Sequence, residues 1–323
     1  MYFKQNKAKQ LEIKHLLQRH TGRLLKNPLV RDIGVGFSIE DRHLTNELAI
    51  IIEAAVPYDA SRIAPEQRLP ERIEGIPVSI IDPPVPETVF ESIEEIHPLI
   101  QAIARSRNRP FDQLIGGIRI RNGWRQGYGG GTLGAIVYDR QHQTPFGLTS
   151  RHVLISDRSW RLRRRFPVIH PDRHWNRDTE IGTVLKRGRK DLDCIRFPIH
   201  PHRDIHPTQS VLGIEGRITG IEAEIICGTK VMKSGSRTGL TYGVIVCESV
   251  CRNRFIIFPD EDYQLIDGEL TLGGDSGSIW LLNDGSMRAI GLHCLGNRSK
   301  EYDAELGVAL KMDQVADYLN IRF

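Results

Sequence analysis

The sequence predicts a mostly β chain: a pair of β-barrels or sandwiches, preceded by a small α+β unit. Three observations carry this prediction. From residue 115 onward, short β-rich runs alternate with Gly, Asn and Asp turns, roughly a dozen in all. Strands so short and so evenly spaced fit barrels and sandwiches rather than βαβ units. Ahead of them, apolar residues recur at helical spacing in two segments, 5–27 and 90–106. The texture changes near Asn108-Arg109-Pro110, so the expected division is 1–110 for the α+β unit and 111–323 for the β-rich region.

Composition bounds the function. With 323 residues, 40% of them hydrophobic, the chain can build two or three packed units with real cores. Its 44 basic and 40 acidic residues leave a net charge of +4, near neutral for this length, which implies no global polyanion partner. No run of 18 apolar residues exists, so no membrane span is expected. The first residues lead into a charged amphipathic segment rather than an apolar signal core. The five cysteines are odd in number and widely spread, so free thiols in a reducing cytoplasm are expected.

In chain order, Leu11, Ile13, Leu16, Leu17, Leu24 and Leu25 give the first helix its apolar side, and Asn27-Pro28 ends it. Strands are expected at 33–39 and 48–56, joined by the polar loop Glu40-Asp41-Arg42-His43. A Pro-rich stretch over 65–86 encloses a strand at 76–81. The second helix, 90–106, carries Ile93, Ile96, Leu99, Ile100 and Ile103 on one side, and Pro98 inside it is expected to kink or split it. Further strands are expected at 118–120, 132–138, 147–154, 182–185, 193–197, 213–218, 223–226, 241–247, 255–258, 279–282, 289–293 and 307–310, with a short helix at 313–319.

The stretch that points to chemistry is Gly273-Gly274-Asp275-Ser276-Gly277, just before the apolar run Ile279-Trp280-Leu281-Leu282. Glycine lacks a Cβ, so it takes positive φ and leaves its amide uncovered. A serine on such a turn can project its hydroxyl while the N–H groups of Gly274 and Ser276 point beside it, a nucleophile with an oxyanion hole. Serine is a poor nucleophile unless a base takes its proton and a third group orients that base. The base candidate is His152, after the strand-like Phe146-Gly147-Leu148-Thr149-Ser150. The acid candidate is Asp193, opening a strand in which Ile195 and Phe197 alternate inward. Asp191, two residues earlier on the same side, is the alternative. The order His, Asp, Ser differs from the α/β-hydrolase and subtilisin orders.

These motifs resemble those of trypsin-like (chymotrypsin-fold) serine proteases of bacterial type. The resemblance implies two six-stranded antiparallel β-barrels over about 115–323, ending in a helix, with His152, Asp193 and Ser276 as triad and Gly274 and Ser276 as oxyanion hole. The run 129–137 resembles the strand that precedes the base segment in those enzymes. The hairpin over 228–243 and the leading unit resemble bacterial peptidases related to the plant narrow-leaf protease group. Gly291-Leu292-His293-Cys294-Leu295-Gly296 is similar to the specificity strand of glutamyl endopeptidases. There this His, with a Thr or Ser five residues before the nucleophile, grips a Glu or Gln side chain. That implies substrate-binding roles for His293 and Thr271, and a preference for Glu, Gln or Asp before the scissile bond; a small apolar preference is the alternative. Leu270 stands where trypsin-type enzymes carry an acid, which argues against Lys or Arg.

Other constellations imply less. The histidines at 170, 174, 200, 202 and 206 and the Cys247–Cys251 pair match no common zinc spacing, so no metal is expected. No phosphate-binding or dinucleotide loop occurs, so no cofactor is expected. Residues 158–174, with six arginines and one acid, read as a solvated loop between strands, or as a docking patch for an acidic partner. The expected function is a cytoplasmic serine endopeptidase acting on protein or peptide substrates through an acyl-enzyme. By analogy with bacterial defence systems, it is restricted to one dedicated target and open to a regulatory protein partner. The alternatives are a catalytically silent binding module, acting through the leading unit and the Arg-rich loop, and a nucleic-acid-associated regulator. Asp275 is expected to be held by internal contacts rather than by a newly freed N-terminus.

Overall fold

The computed structural model describes residues 4–40, 43–82, 96–124, 129–155, 165–172, 175–185, 188, 191–207, 210–299 and 304–323. The first third contains α1 (Lys7–Leu24), β1 (Val30–Glu40), β2 (His43–Ala54), β3 (Arg72–Ile73), β4 (Ile76–Ile81) and α2 (Pro98–Arg107). Asn6 caps α1 by accepting from the Lys9 N–H at 3.0 Å. The helix buries Ile13, Leu16 and Leu17 together with Val35, Ile50 and Ile52 of the β1–β2 hairpin. Residues 90–95 of the second predicted helix lie outside the described residues, and Ile96 and His97 precede the helix. Pro98 begins α2 instead of kinking it, since the first turn has no hydrogen bond for proline to break.

The middle third holds β5 (Gln113–Leu114), β6 (Arg119–Asn122), β7 (Gly130–Thr132), β8 (Ala135–Asp139), β9 (Pro145–Ser150), α3 (Arg151–Leu154), β10 (Phe166–Ile169), β11 (Glu180–Val184), β12 (Cys194–Pro198) and β13 (Asp204–Ile205). The last third holds β14 (Gly220–Ile221), β15 (Lys230–Gly235), β16 (Gly239–Ser249), β17 (Arg254–Pro259), β18 (Ile279–Leu282), β19 (Arg288–Ser299), β20 (Ala304–Lys311), α4 (Met312–Leu319) and β21 (Ile321–Arg322).

The C-terminal half is a closed six-stranded antiparallel barrel in the order β15-β18-β19-β20-β17-β16, sealed by the β15–β16 ladder. Of the two barrels expected, this is the one whose ladder closes among the described residues. In the other half, two four-stranded sheets, β11-β10-β6-β7 and β12-β9-β8-β21, enclose Ile118, Ile120, Leu133, Ile136, Val168, Ile195 and Phe197. The strand expected over 132–138 is split into β7 and β8 at Leu133-Gly134. The other half intrudes there: the Thr132 N–H donates to the Ser276 carbonyl at 2.8 Å. A Cβ at Gly134 would lie 2.1 Å from the Gly277 carbonyl oxygen. This seam is what positions the site.

Two other expectations change. Phe166–Ile169, inside the Arg-rich stretch read as a loop, forms β10 with all four residues buried. Residues 156–164 and 173–174 of that region, and most of its arginines, lie outside the described residues. Segments 213–218 and 223–226 form no strands; Ile214, Ile218 and Ile225 instead enter the cores singly, and only β14 pairs there, parallel to β19.

The leading segment continues the barrel's own sheet. β1 pairs antiparallel with β16, with Gly36 opposite Cys247, so β2, β4 and β3 prolong the ladder. A Cβ at Gly34 would lie 2.5 Å from the Glu248 carbonyl oxygen, so this close pairing needs glycine. Val246, Phe258 and Val308 of the barrel share one core with α1, β1 and β2. The boundary expected near 108–110 falls between α2 and β5, while sheet and core run across it. Because Ile50 is fully buried in that shared core, Ile50→Ala is expected to cost about 3 kcal/mol and to lower one unfolding transition of the whole chain in calorimetry. A separate low-temperature transition, with the barrel's melting unmoved, would contradict this.

Candidate active site

Asp193, the candidate acid, holds the segment of the candidate base His152 at three points. β9 ends at Ser150, and the chain turns into the one-turn helix α3 instead of continuing as a strand to residue 154. The Ser150 hydroxyl does not cap this helix; it donates to the His293 carbonyl at 2.8 Å. Asp193 takes over the capping. Its carbonyl accepts from the Arg151 N–H at 3.1 Å, and its Oδ1 accepts from the His152 N–H at 3.0 Å. Its Oδ2 lies 2.6 Å from His152 Nδ1. An ionised carboxylate only accepts, so the ring proton sits on Nδ1 and Nε2 keeps its lone pair. The register of β12 on β9, Cys194 opposite Ser150, brings Asp193 to the imidazole. Asp191, the alternative acid, is exposed.

The serine turn is shaped by glycines and by a buried carboxylate. Gly274 has φ +116° and Gly277 φ +94°, conformations that side chains resist. Hydroxyls of Thr132 and Ser236 both donate to the Gly274 carbonyl, at 2.9 and 2.8 Å. The amides of Asp275, Gly277 and Ser278 donate to the carbonyls of Leu272, His293 and Asp275. Those of Gly274 and Ser276 donate to nothing among the described residues. These two are the amides expected to form the oxyanion hole. Ser276 is half-buried. β7 touches both partners, since a Cβ at Gly131 would lie 2.3 Å from the Val153 side chain and 2.7 Å from the Ser276 carbonyl oxygen. The structure thus joins His152 to Asp193 directly and sets Ser276 against the same strand. It does not hydrogen-bond the Ser276 hydroxyl to His152 among the described residues. Catalytic hydrogen bonds often tighten only when substrate binds.

Asp275 and Lys233 are both fully buried and pair at 3.0 Å. The carboxylate also accepts from the Thr238 hydroxyl at 2.6 Å and from the amides of Arg237, Thr238 and Leu272. Burial alone would raise its pKa, but Lys233 and these donors outweigh it and hold the carboxyl at about 2. Asp275 is therefore held by internal contacts, as expected, and the cation is a lysine side chain. Lys233 lies in the hairpin over 228–243, for which the sequence implied no chemical role. Its one signal was a lysine inside an otherwise inward-facing strand, Val231-Met232-Lys233-Ser234.

Thr271 and His293 meet, but below the surface. Each is 1% exposed. Thr271 Oγ1 lies 2.6 Å from His293 Nε2, and Trp280 Nε1 donates to His293 Nδ1 at 3.4 Å. Indole only donates, so Nδ1 is the bare nitrogen, Nε2 carries the proton, and Thr271 accepts it. Burial, reinforced by Lys233, pushes the imidazole down to about 3, so it stays neutral. The Thr271 methyl packs on Gly296, where a Cβ would lie 2.2 Å away. Behind this wall, Glu305 accepts from the amides of Leu270 and Thr271. Burial and the neighbouring Glu269 push its carboxyl up to about 9. Nothing in the sequence singled out Glu305.

These shifts give a pH dependence with a definite sign. Below pH 6.5 the unfolded chain protonates residue 293, while the folded chain resists until about pH 3, so stability falls through that window. Asp275 adds to the loss lower down: its stabilisation is present above its ordinary 3.8 and disappears as pH approaches about 2. Glu305 opposes this down to its ordinary 4.5, so denaturant melts at stepped pH are expected to show the net fall between pH 4.5 and 3, by about 2 kcal/mol, with a shallower slope there in His293→Gln. An unchanged slope in that variant would contradict the assignment.

The sequence matches no family model and no curated protein. Among solved structures, this chain is similar to a Nocardiopsis protease at 15% identity and TM-score 0.45, covering 65% of this chain and 98% of that one. A glutamic-acid-specific serine protease, described as using a histidine triad in substrate binding, is similar at 14% identity and TM-score 0.44, covering 65% and 99%. A chymotrypsin of Cellulomonas bogoriensis is similar at 17% identity and TM-score 0.45, covering 65% and 98%.

Proposed function

We propose that this protein is a serine endopeptidase. The observation that carries the reading is the Asp193 carboxylate bound to both the His152 backbone and its Nδ1. In this scheme His152 Nε2 takes the Ser276 hydroxyl proton as Oγ attacks the scissile carbonyl. Asp193 holds the tautomer and steadies the imidazolium. The amides of Gly274 and Ser276 receive the charge on the carbonyl oxygen, where one such donor is typically worth about a hundredfold to a thousandfold in rate. His152 then returns the proton to the leaving amine, giving an acyl-enzyme on Ser276. Water, deprotonated by the same nitrogen, releases it. Lys233 supports activity without a freed N-terminus.

For the side chain before the scissile bond we retain the Glu, Gln or Asp preference and place Gln first. His293 is neutral and its proton is given to Thr271. That leaves the Thr271 hydroxyl hydrogen to donate to the substrate, and no positive charge to balance a carboxylate. We place the protein in the cytoplasm, in keeping with five unbridged cysteines. We infer narrow action on a dedicated protein target, answerable to a regulatory partner, by analogy with bacterial defence proteases.

The test is turnover of a peptide library by the full-length protein. Cleavage is expected after Gln ahead of Glu and Asp. Ser276→Ala should abolish it, and Asp193→Asn should lower kcat roughly ten-thousandfold. Variants as active as the parent would contradict the triad. Cleavage chiefly after Lys, Arg or small apolar residues would contradict the specificity.

A further inference from the structure

We propose that Arg119 is a positioning residue for the oxyanion hole. It is a guanidinium fitted into the space of Gly274's missing side chain, biasing the turn through its backbone rather than by touching substrate. This rests on the serine-protease reading and extends it to a residue outside the triad and its pocket.

Arg119 opens β6 opposite Thr132. Thr132 is the residue whose N–H and hydroxyl hold the carbonyls of Ser276 and Gly274. The Arg119 side chain is only 18% exposed, and its Nε donates to Asp172 Oδ2 at 2.7 Å. Arg121 pairs with the other oxygen of the same carboxylate. Asp172 is fixed in turn by Asn108, which accepts its N–H at 2.6 Å. Two guanidinium groups against one carboxylate leave an excess charge of +1.

That charge is aimed. Arg119 Nη1 is buried and has no hydrogen-bond partner among the described residues. A Cβ at Gly274 would lie 2.9 Å from it and 2.7 Å from Arg237 Cγ. Glycine at 274 and arginine at 119 therefore fit each other, and any side chain at 274 would displace the guanidinium. A buried donor without an acceptor pays a desolvation penalty, and such a cost in a native fold calls for an explanation. Support of charge that appears only in the transition state supplies one. Asp172 anchors the guanidinium at Nε, and Nη1 is left against the residue whose N–H faces the developing oxyanion. A fixed cation beside the turn stabilises such charge without reorganising. The ground state, a neutral carbonyl, gains little from it, so the effect should fall on kcat.

The experiment compares full-length Arg119→Met, Arg119→Lys and Arg121→Met with the parent on the best library peptide. Melting temperature is read alongside, as is affinity for a peptidyl boronate, whose adduct on serine is tetrahedral and anionic, and for the cleaved product peptide. Arg119→Met should lower kcat about tenfold to a hundredfold, below the typical loss from deleting a direct donor. KM and product affinity should stay within about twofold of the parent, and boronate affinity should fall by the factor lost in kcat, as binding of a transition-state mimic must. Arg119→Lys should recover most of the loss. Arg121→Met, which shares Asp172 but not Gly274, should not reproduce it. Equal losses in Arg119→Met and Arg121→Met, a loss confined to KM or melting temperature, or no loss at all would overturn this role while leaving the protease reading intact. A parent protein that cleaves no peptide and binds no boronate would overturn both.

Discussion

The buried ion pair between Lys233 and Asp275 is the interaction on which the rest of the structure depends. Asp275 lies between the two residues whose amides face the candidate oxyanion site. Its carboxylate is gripped by Lys233, the Thr238 hydroxyl and three amides. Burial pulls the Lys233 ammonium toward its neutral form, and Asp275 opposes it. Breaking such a pair by removing one partner usually costs about 3–5 kcal/mol, because the other charge is left buried and uncompensated. The pair therefore gives one backbone path through 272–278 a large advantage over its alternatives. That path frees the amides of Gly274 and Ser276 from internal partners.

The same turn is where the two halves of the molecule are joined. The Ser276 carbonyl takes the place of a β-partner for Thr132, and the His293 carbonyl accepts from both Ser150 and Gly277. β7, α3, the serine turn and β19 thus share one hydrogen-bonded seam. The leading segment reaches it too. α2 sends Arg107 under the seam, donating to the carbonyls of Gly117 and Leu212. Ile103 of the same helix lies against Gly239, at the end of the turn that cages Asp275. Residues far from the site in sequence are tied to its geometry by packed, polar contacts with little room to move.

Much of this could be read from residue order. Helix α1, strands β1, β2 and β4, most barrel strands and α4 follow from periodicity, because each buries one side of a regular element. The candidate catalytic residues were legible for a different reason. A nucleophile turn needs glycines at fixed positions beside its serine, and a strand-end His and a strand-opening Asp leave local marks. What was not legible is non-local. Pairing of β1 with β16 depends on a register across more than two hundred residues. The split between β7 and β8 is imposed by Gly277 from the opposite half. β10 hides in an Arg-rich stretch because its four inward residues are flanked by charge. Lys233, Arg119 and Glu305 are ordinary charged residues in sequence, and only burial beside the serine turn gives them meaning.

A lysine inside the fold, paired with Asp275, holds the serine turn in the uncut chain. The direct measurement is intact mass after reaction with a fluorophosphonate, on the parent and on Lys233→Met. A single adduct is expected on the uncut 323-residue chain, mapped to Ser276, with its near disappearance in Lys233→Met. An adduct found only on shortened chains, or formed at the same rate without Lys233, would contradict it.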